Sequence, residues 1–235
     1  MSCPKCGGTG YLRLDVDWND PQFGKPVRCD HPSHHPEEVA RLSAMSGLDE
    51  ADLGIRLTDI AVAPGNQAMV NACREFIAEP KGWLYIHGTF GNAKSVALMA
   101  IINELNERRL GPATYCNLSE IIDWVKESFS KKEQMDEKSL SYTQRFDKLK
   151  AIPVLAIDEM SAISETEWVL EFQHKFLDHR YRQAIRGETV TVFAGNEHPQ
   201  ALPGAIWDRV RDGRFQIVEN TEPSSRPVMH WSDEL

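Results

Sequence analysis

The chain lacks any long apolar run, since no stretch approaches the roughly 18 residues that a membrane-spanning helix needs. It also shows no secretory signal, internal repeats or low-complexity tracts. We therefore expect no membrane partner and a cytoplasmic location. With 235 residues, 41% of them hydrophobic and 26% charged, the chain can form one substantial core with a small appendage.

An excess of positive charge is also lacking, because 26 lysines and arginines face 35 acidic residues and the net charge is −9. This charge argues against a protein that coats nucleic acid non-specifically. Contact with single-stranded DNA would need a local basic patch. The candidates for such a patch are Lys131, Lys132, Lys138, Lys148 and Lys150.

The five cysteines do not suggest a disulfide framework, since their number is odd and no export signal accompanies them. Cys3 and Cys6 form a Cys-x-x-Cys pair followed by glycines, and Cys29 comes some two dozen residues later. This pattern predicts a structural zinc site with His34 as fourth ligand, and His31 remains the alternative. A redox pair would need a strand-to-helix setting, which this segment lacks.

The most informative stretch predicts a phosphate-binding loop between a buried strand at 83–86 and an apolar helix after Ser95. Backbone N–H groups of such a loop, together with the helix N-terminus, bind phosphate oxygens. Lys94 would neutralise the β- and γ-phosphates, and the Ser95 hydroxyl would bind Mg²⁺. The remaining predicted nucleotide-binding positions of the loop are Gly88, Thr89, Gly91, Asn92 and Ala93.

Ala93 departs from the usual G-x-x-x-x-G-K-[ST] pattern, in which the second glycine occupies this position. If the backbone there has a positive φ, alanine costs on the order of 1 kcal/mol relative to glycine. Gly91 and Asn92 are the alternatives for carrying the turn. We expect a weakened site rather than a lost one.

A second motif agrees with the loop. The apolar run from Ile152 ends in Asp158 and Glu159, which is typical of a strand buried on both faces with carboxylates at its carboxyl end. Ligands bind at this edge of open α/β sheets. Asp158 suits coordination of Mg²⁺, and Glu159 suits activation of an attacking water.

Further strands and helices are predicted around these motifs. A strand at 189–194 precedes Asn196, whose amide suits a water or γ-phosphate, and a short helix at 205–214 carries three arginines. Arg226 follows in a Ser-Ser-Arg-Pro stretch. The other predicted elements are helices at 36–46, from 65–66 to about 79, 96–109, 119–129, 142–150 and 168–185, and strands at 113–117 and 215–218.

The order of these motifs resembles the AAA+ ATPase domain, and within that class the DnaC/DnaI-type helicase loaders and the related IstB transposition ATPases. The resemblance covers roughly residues 60–230, and a loader-like zinc segment extends it to the N-terminus. It implies a P-loop ATPase domain with a three-layer parallel α/β sheet. The expected division is a zinc module at 1–35, a helix and linker at 36–64, and the ATPase domain at 65–235.

The resemblance also implies roles. Lys94 and Ser95 match the Walker A motif, Asp158 and Glu159 match Walker B, and Asn196 matches sensor 1. Arg226 matches sensor 2. Arg209, with Arg211 as alternative, matches the arginine finger that reaches a neighbouring subunit's ATP, so a homo-oligomer is expected and a monomer should hydrolyse ATP slowly.

Three functions follow from these features. The first is ATP-dependent loading of a replicative hexameric helicase onto single-stranded DNA, with the zinc segment docking on the helicase. The second is an IstB-like ATPase that organises DNA for a transposase. The third, suggested by Ala93, is a nucleotide-binding adaptor without turnover.

Overall fold

The computed structural model describes residues 3, 5–7, 9–29, 31, 36–130, 140–160 and 166–226. His34, Lys131, Lys132 and Lys138 therefore lie outside the described residues. Within the described part of the chain, no helix combines the length and apolar character needed to cross a bilayer.

The N-terminal segment contains a short antiparallel pair of strands, β1 (Tyr11–Arg13) and β2 (Pro26–Arg28), with Leu12 opposite Val27. Neither strand is predicted from the sequence, because three residues are too few to show a period-two pattern. The pair brings Cys29 next to the glycines that follow Cys6, and the Cys29 N–H donates to the Gly10 carbonyl at 2.8 Å.

The main body is a five-stranded parallel sheet in the order β4-β5-β6-β3-β7. Its strands are β3 (Trp83–Gly88), β4 (Ala113–Asn117), β5 (Val154–Asp158), β6 (Val190–Gly195) and β7 (Gln216–Asn220). The three central strands are buried along their whole length, as continuous apolar runs predict for a sheet covered on both faces.

Seven helices are described: α1 (Pro36–Ala44), α2 (Gln67–Ala78), α3 (Lys94–Glu107), α4 (Leu118–Ser130), α5 (Tyr142–Lys150), α6 (Glu167–Ile185) and α7 (Gly204–Val210). Helices α2 and α3 share one apolar core with one face of the sheet, and α4 to α7 share a second core with the other face. The predicted three-layer α/β fold is confirmed.

The predicted helix over 205–214 is too long, because α7 ends at Val210. The Asp212 carboxylate accepts the backbone N–H of Arg214 at 3.0 Å, and such a local side-chain turn competes with helix continuation. Arg211 and Arg214 therefore lie beyond the helix rather than on it.

Residues of the predicted linker pack on the main body. Leu57 and Ile60 belong to the core that contains α2 and α3. Glu38 of α1 forms an ion pair with Arg109 at 3.0 Å. The boundaries predicted at 35 and 64 stay predictions.

Arg180 of α6 is a fully buried cation between helix and sheet, and burial lowers its pKa to about 9. Its guanidinium donates to the Thr191 hydroxyl at 2.9 Å and to the carbonyls of Ile152 and Val190, both at 2.8 Å. These bonds connect α6 to β6 and to the residues that precede β5.

Replacing Arg180 by alanine is expected to lower the free energy of unfolding by about 3–5 kcal/mol, because three acceptors lose their donor inside the protein. Urea denaturation measures the change. Arg186→Ala is the matched control, since Arg186 is exposed, pairs with Glu188 and should contribute less than about 1 kcal/mol. Equal effects of the two substitutions would contradict the prediction.

Candidate nucleotide-binding site and metal centre

The loop between β3 and α3 has the tight geometry of a phosphate-binding loop. Gly91 has φ 73° and Ala93 has φ 67°, so both residues are left-handed. Gly88, with φ 146°, approaches the end of β7 so closely that a Cβ there would collide with the Asn220 carbonyl. The backbone at position 93 thus has the conformation in which alanine is strained relative to glycine.

Replacing Ala93 by glycine is expected to raise the free energy of unfolding by about 1 kcal/mol, since relief of the left-handed strain exceeds the added entropy of the unfolded chain. Ala97→Gly is the control, because Ala97 lies buried inside α3 and glycine should destabilise there. Urea denaturation should show a higher free energy of unfolding for Ala93→Gly and a lower one for Ala97→Gly than for wild type. A lower value for Ala93→Gly would contradict the expectation.

Lys94 begins α3 with its side chain buried. Its Nζ donates to the carbonyls of Gly88 and Thr89 at 2.8 and 2.5 Å, and to Asn92 Oδ1 at 2.9 Å. Burial lowers the pKa of the Lys94 amine, while the charge of Asp158 raises it. The amine is thus held under the loop by the backbone of its first residues.

Asn92 and Asn220 interlock the loop with β7. The Asn92 side-chain amide donates to the Asn220 carbonyl at 3.0 Å, and the Asn220 amide donates to the Asn92 carbonyl at 2.6 Å. Asn220 is not among the residues predicted from the sequence, because an asparagine that ends a strand is also typical of an ordinary turn. The pair anchors the loop to β7, and through Asn92 Oδ1 it is also bonded to Lys94.

Asp158, buried at the end of β5, has both carboxylate oxygens engaged. Oδ2 accepts the hydroxyl of Tyr115 and Oδ1 accepts the backbone N–H of Glu159, each at 2.8 Å. Glu159 is exposed and has φ 57°, so the chain turns sharply after the strand. Tyr115 is not among the predicted site residues, since a tyrosine within a predicted strand is expected to serve only in side-chain packing.

A cleft of about 240 Å³ lies between the phosphate loop and the ends of β5 and β6. It brings together six predicted site residues from four separate parts of the chain. They are Lys94, Ser95, Asp158, Glu159, Asn196 and Arg226. Gly91, Asn92 and Ala93 also line it. Gly88 and Thr89 do not line it, and their carbonyls accept hydrogen bonds from Lys94.

Arg226 reaches the cleft because the segment after β7 docks on the phosphate loop. The backbone N–H and the hydroxyl of Ser225 both donate to the Gly91 carbonyl, at 3.0 and 3.1 Å. The Arg226 N–H donates to the Ser224 hydroxyl at 3.2 Å. Arg226 is exposed, which leaves its guanidinium on the open side of the cleft.

Arg209 does not line this cleft. Its guanidinium binds the carboxylate of Asp178 on α6 and also donates to the Ala205 carbonyl at 2.5 Å. Arg211 is more exposed and pairs with Asp208 at 2.7 Å. A role of either arginine in a neighbouring subunit stays a prediction.

The donor set of the cleft fits a magnesium nucleotide. A carboxylate and a hydroxyl are the oxygen ligands that Mg²⁺ takes from proteins alongside phosphate oxygens. The left-handed loop at a helix N-terminus and the nearby lysine suit the phosphates. Ser95 and Asp158 are the residues that would hold the cation.

Three of the predicted zinc ligands lie together. The Sγ atoms of Cys3, Cys6 and Cys29 are all within 4.8 Å of one another, and those of Cys3 and Cys29 are 3.7 Å apart. Two sulfurs of a tetrahedral zinc site with Zn–S bonds of about 2.3 Å would be about 3.8 Å apart. The thiols therefore fit zinc, and the choice between His31 and His34 stays open.

The basic residues predicted to contact DNA are represented by Lys148 and Lys150 of α5 in the described part of the chain. Lys150 pairs with Asp147 at 2.7 Å and lies 4.9 Å from the centre of the Phe146 ring. Contact of these lysines with DNA stays a prediction.

The sheet order and the cleft define the fold as that of an AAA+ ATPase domain. The structure of AMPPCP-bound DnaA from Aquifex aeolicus shares this fold, with 18% identity and a TM-score of 0.59 over 71% of this chain and 50% of that chain. A crystal structure of the DnaC helicase loader matches with 12% identity and a TM-score of 0.60, over 74% of this chain and 100% of the other.

In sequence, the chain is similar to the replicative helicase loader DnaI of Bacillus subtilis (strain 168), with 32% identity over 121 residues. The match covers 51% of this chain and only about a third, 34%, of DnaI. A crystal structure of DnaI gives 22% identity and a TM-score of 0.57 over 75% of this chain and 96% of that chain. No protein-family model matches the chain. The predicted resemblance to DnaC/DnaI-type loaders is confirmed.

Proposed function

We propose that this chain binds ATP with Mg²⁺ and hydrolyses it. The observation that carries the proposal is the opposition of Lys94 and Ser95 to Asp158 and Glu159 across one cleft. Each pair alone has an ordinary structural explanation, but their meeting at the carboxyl end of a parallel sheet is typical of nucleotide binding. Similarity to the fold of AMPPCP-bound DnaA supports it.

In this proposal the chain's own residues divide the work. Lys94 contacts the β- and γ-phosphates. Ser95 and Asp158 would hold the cation, which would supply positive charge near the phosphates. Glu159 accepts the proton of the attacking water, and Asn196 orients that water because β6 lies between β3 and β5. Arg226 contacts the γ-phosphate from the open side of the cleft.

The proposal includes a homo-oligomer in which Arg209 or Arg211 contacts the ATP of the neighbouring subunit. An arginine that stabilises transition-state charge contributes about 10³–10⁵-fold in related phosphoryl transfers. Arg209 would first have to leave Asp178, whereas Arg211 is held only by an exposed pair on its own turn. The Arg209 guanidinium is therefore more tightly restrained than that of Arg211.

For the cellular role, we propose ATP-dependent loading of a replicative hexameric helicase onto single-stranded DNA. The sequence similarity to DnaI and the fold similarity to DnaC support this role. The N-terminal cysteine cluster supports a small zinc-stabilised module that docks on the helicase. The strain at Ala93 favours one second candidate, an adaptor that binds nucleotide without turnover.

Calorimetry with ATP or ADP in magnesium buffer tests nucleotide binding. Wild type should bind, Lys94→Ala should not, and Lys81→Ala, which changes an exposed lysine paired with Glu79, should bind like wild type. Absence of heat with wild type would overturn the proposal.

Two parallel pull-downs test which partner the chain binds. One uses a purified hexameric replicative helicase, and the other uses a transposase of the kind that works with an IstB ATPase. Capture of the helicase alone in the presence of ATP is expected. Capture of the transposase alone would replace the loader role by the IstB-like one.

A further inference from the structure

The Tyr115 hydroxyl donates to Asp158 from the neighbouring strand, and this bond has no place in the roles given above. Tyr115 lies on β4, and its strand register places it opposite Ala156, two residues before Asp158. The hydroxyl is 2.8 Å from Oδ2 of Asp158, while Oδ1 accepts the Glu159 N–H at the same distance. A donor on each oxygen restrains the plane of the carboxylate and leaves a lone pair on each oxygen for a further ligand.

We propose that Tyr115 is a positioning residue that orients Asp158 for the cation, and that the turn at 45–47 holds Tyr115 in place. The proposal rests on the proposed magnesium-dependent ATPase function. Tyr115 does not line the cleft and would act through Asp158.

Strand β4 is the outermost strand at one side of the sheet. The turn at 45–47 forms hydrogen bonds with the edge of β4 that faces away from β5. The Tyr115 N–H donates to the Ser46 carbonyl at 2.7 Å, and the Thr114 hydroxyl donates to the Met45 carbonyl at 3.4 Å. Gly47 has φ 72°, and a Cβ there would collide with the Tyr115 carbonyl. The turn therefore contacts the backbone of the residue that holds Asp158.

This turn directly follows α1, which is itself fixed to the main body by the Glu38–Arg109 ion pair. A continuous series of bonded groups thus leads from α1 through Ser46 and Tyr115 to Asp158. Displacement of α1 by a partner would loosen the edge of β4 and with it the hydroxyl that fixes Asp158. The site would respond through its affinity for Mg²⁺ rather than through its affinity for the phosphates.

The test compares Tyr115→Phe with wild type in three measurements. ATP affinity in EDTA, measured by calorimetry, should change less than twofold, because the phosphate loop is untouched. The Mg²⁺ concentration that gives half of the magnesium-dependent gain in ATP affinity, measured by calorimetry, should rise about tenfold, as expected for losing a hydrogen bond to a charged group. The Mg²⁺ concentration that gives half-maximal ATP hydrolysis should rise by the same factor. Tyr181→Phe is the matched control, since its hydroxyl also donates to a carboxylate, that of Asp212, at 2.8 Å outside the cleft.

The turn is tested by Gly47→Ala against Gly187→Ala. Both glycines have φ 72°, but a Cβ at Gly187 meets nothing within 4 Å, so only the change at Gly47 pushes on β4. Gly47→Ala should raise the half-maximal Mg²⁺ concentration severalfold, and Gly187→Ala should not. Circular dichroism confirms that each variant is folded.

The outcomes separate the inference from the function on which it rests. If wild type neither binds ATP nor responds to Mg²⁺, the proposed function fails and the inference falls with it. If wild type responds and Tyr115→Phe has the same Mg²⁺ dependence, the positioning role of Tyr115 is overturned while the ATPase stands. A normal Gly47→Ala beside an altered Tyr115→Phe would overturn the role of the turn.

Discussion

Replacing Glu159 by glutamine is expected to reduce ATP hydrolysis at least a hundredfold while ATP affinity stays within about twofold of wild type. We assign the proton to Glu159 rather than to Asp158, because Asp158 is buried and is the proposed ligand of the cation. The Glu159 side chain is exposed on the cleft, and the left-handed backbone at this residue directs the chain out of the strand. Glutamine keeps the shape of the side chain but cannot accept a proton.

Phosphate release by wild type and Glu159→Gln, with and without single-stranded DNA, measures this effect, and calorimetry measures the affinity. Glu79→Gln is the control, since Glu79 is exposed and pairs with Lys81 at 3.0 Å. If wild type and Glu159→Gln release phosphate at the same background rate while both bind ATP, the chain is an adaptor without turnover.

Backbone strain in this protein is concentrated at the cleft. Among the described residues, three that are not glycine have a positive φ, and two of them, Ala93 and Glu159, line the cleft. Such conformations cost of order 1–3 kcal/mol each and persist where the surroundings enforce them. At Ala93 the enforcing contacts include the Asn92–Asn220 pair on the adjoining residue, and at Glu159 they include the Met160 N–H, which donates to the Ala194 carbonyl at 3.0 Å.

The core of the site could be predicted from sequence because its signals are local. An apolar run followed by Asp158 and Glu159 predicts both a buried strand and the edge at which its carboxylates lie. The loop before Lys94 likewise combines strand, turn and helix start within a few residues. Each of these motifs can therefore be recognised within one continuous stretch of the chain.

The supporting residues could not be predicted, because their roles depend on strand order. Tyr115 meets Asp158 only because β4 lies beside β5, and Asn220 meets Asn92 only because β7 lies beside β3. The partner of Arg209 is similarly distant, since Asp178 precedes it by 31 positions on another helix. Nothing in the local sequence around these residues distinguishes them from ordinary strand or surface positions.

The second large effect is expected at the N-terminal cysteine cluster. Among the described residues from 3 to 29, only Cys3 and Cys29 are buried, and Trp18 and Phe23 are exposed. This segment contributes no residue to either apolar core of the main body. Its order then depends on the thiols, and structural zinc binding contributes about 10–16 kcal/mol of folding free energy in comparable small modules.

Cys29→Ser is therefore expected to abolish zinc binding and to unfold the N-terminal module while the ATPase fold and ATP binding persist. Metal analysis should find one zinc per chain in wild type and in Cys116→Ser, a control outside the cluster, and none in Cys29→Ser. Hydrogen exchange should show that the Cys29 and Gly10 amides lose protection. Helicase capture should be lost with the zinc, because the proposed docking module loses its shape. ATP binding should remain, because none of the described residues that line the cleft comes from the N-terminal segment. Retained protection and capture in a zinc-free Cys29→Ser protein would mean that the segment is ordered by something other than the metal.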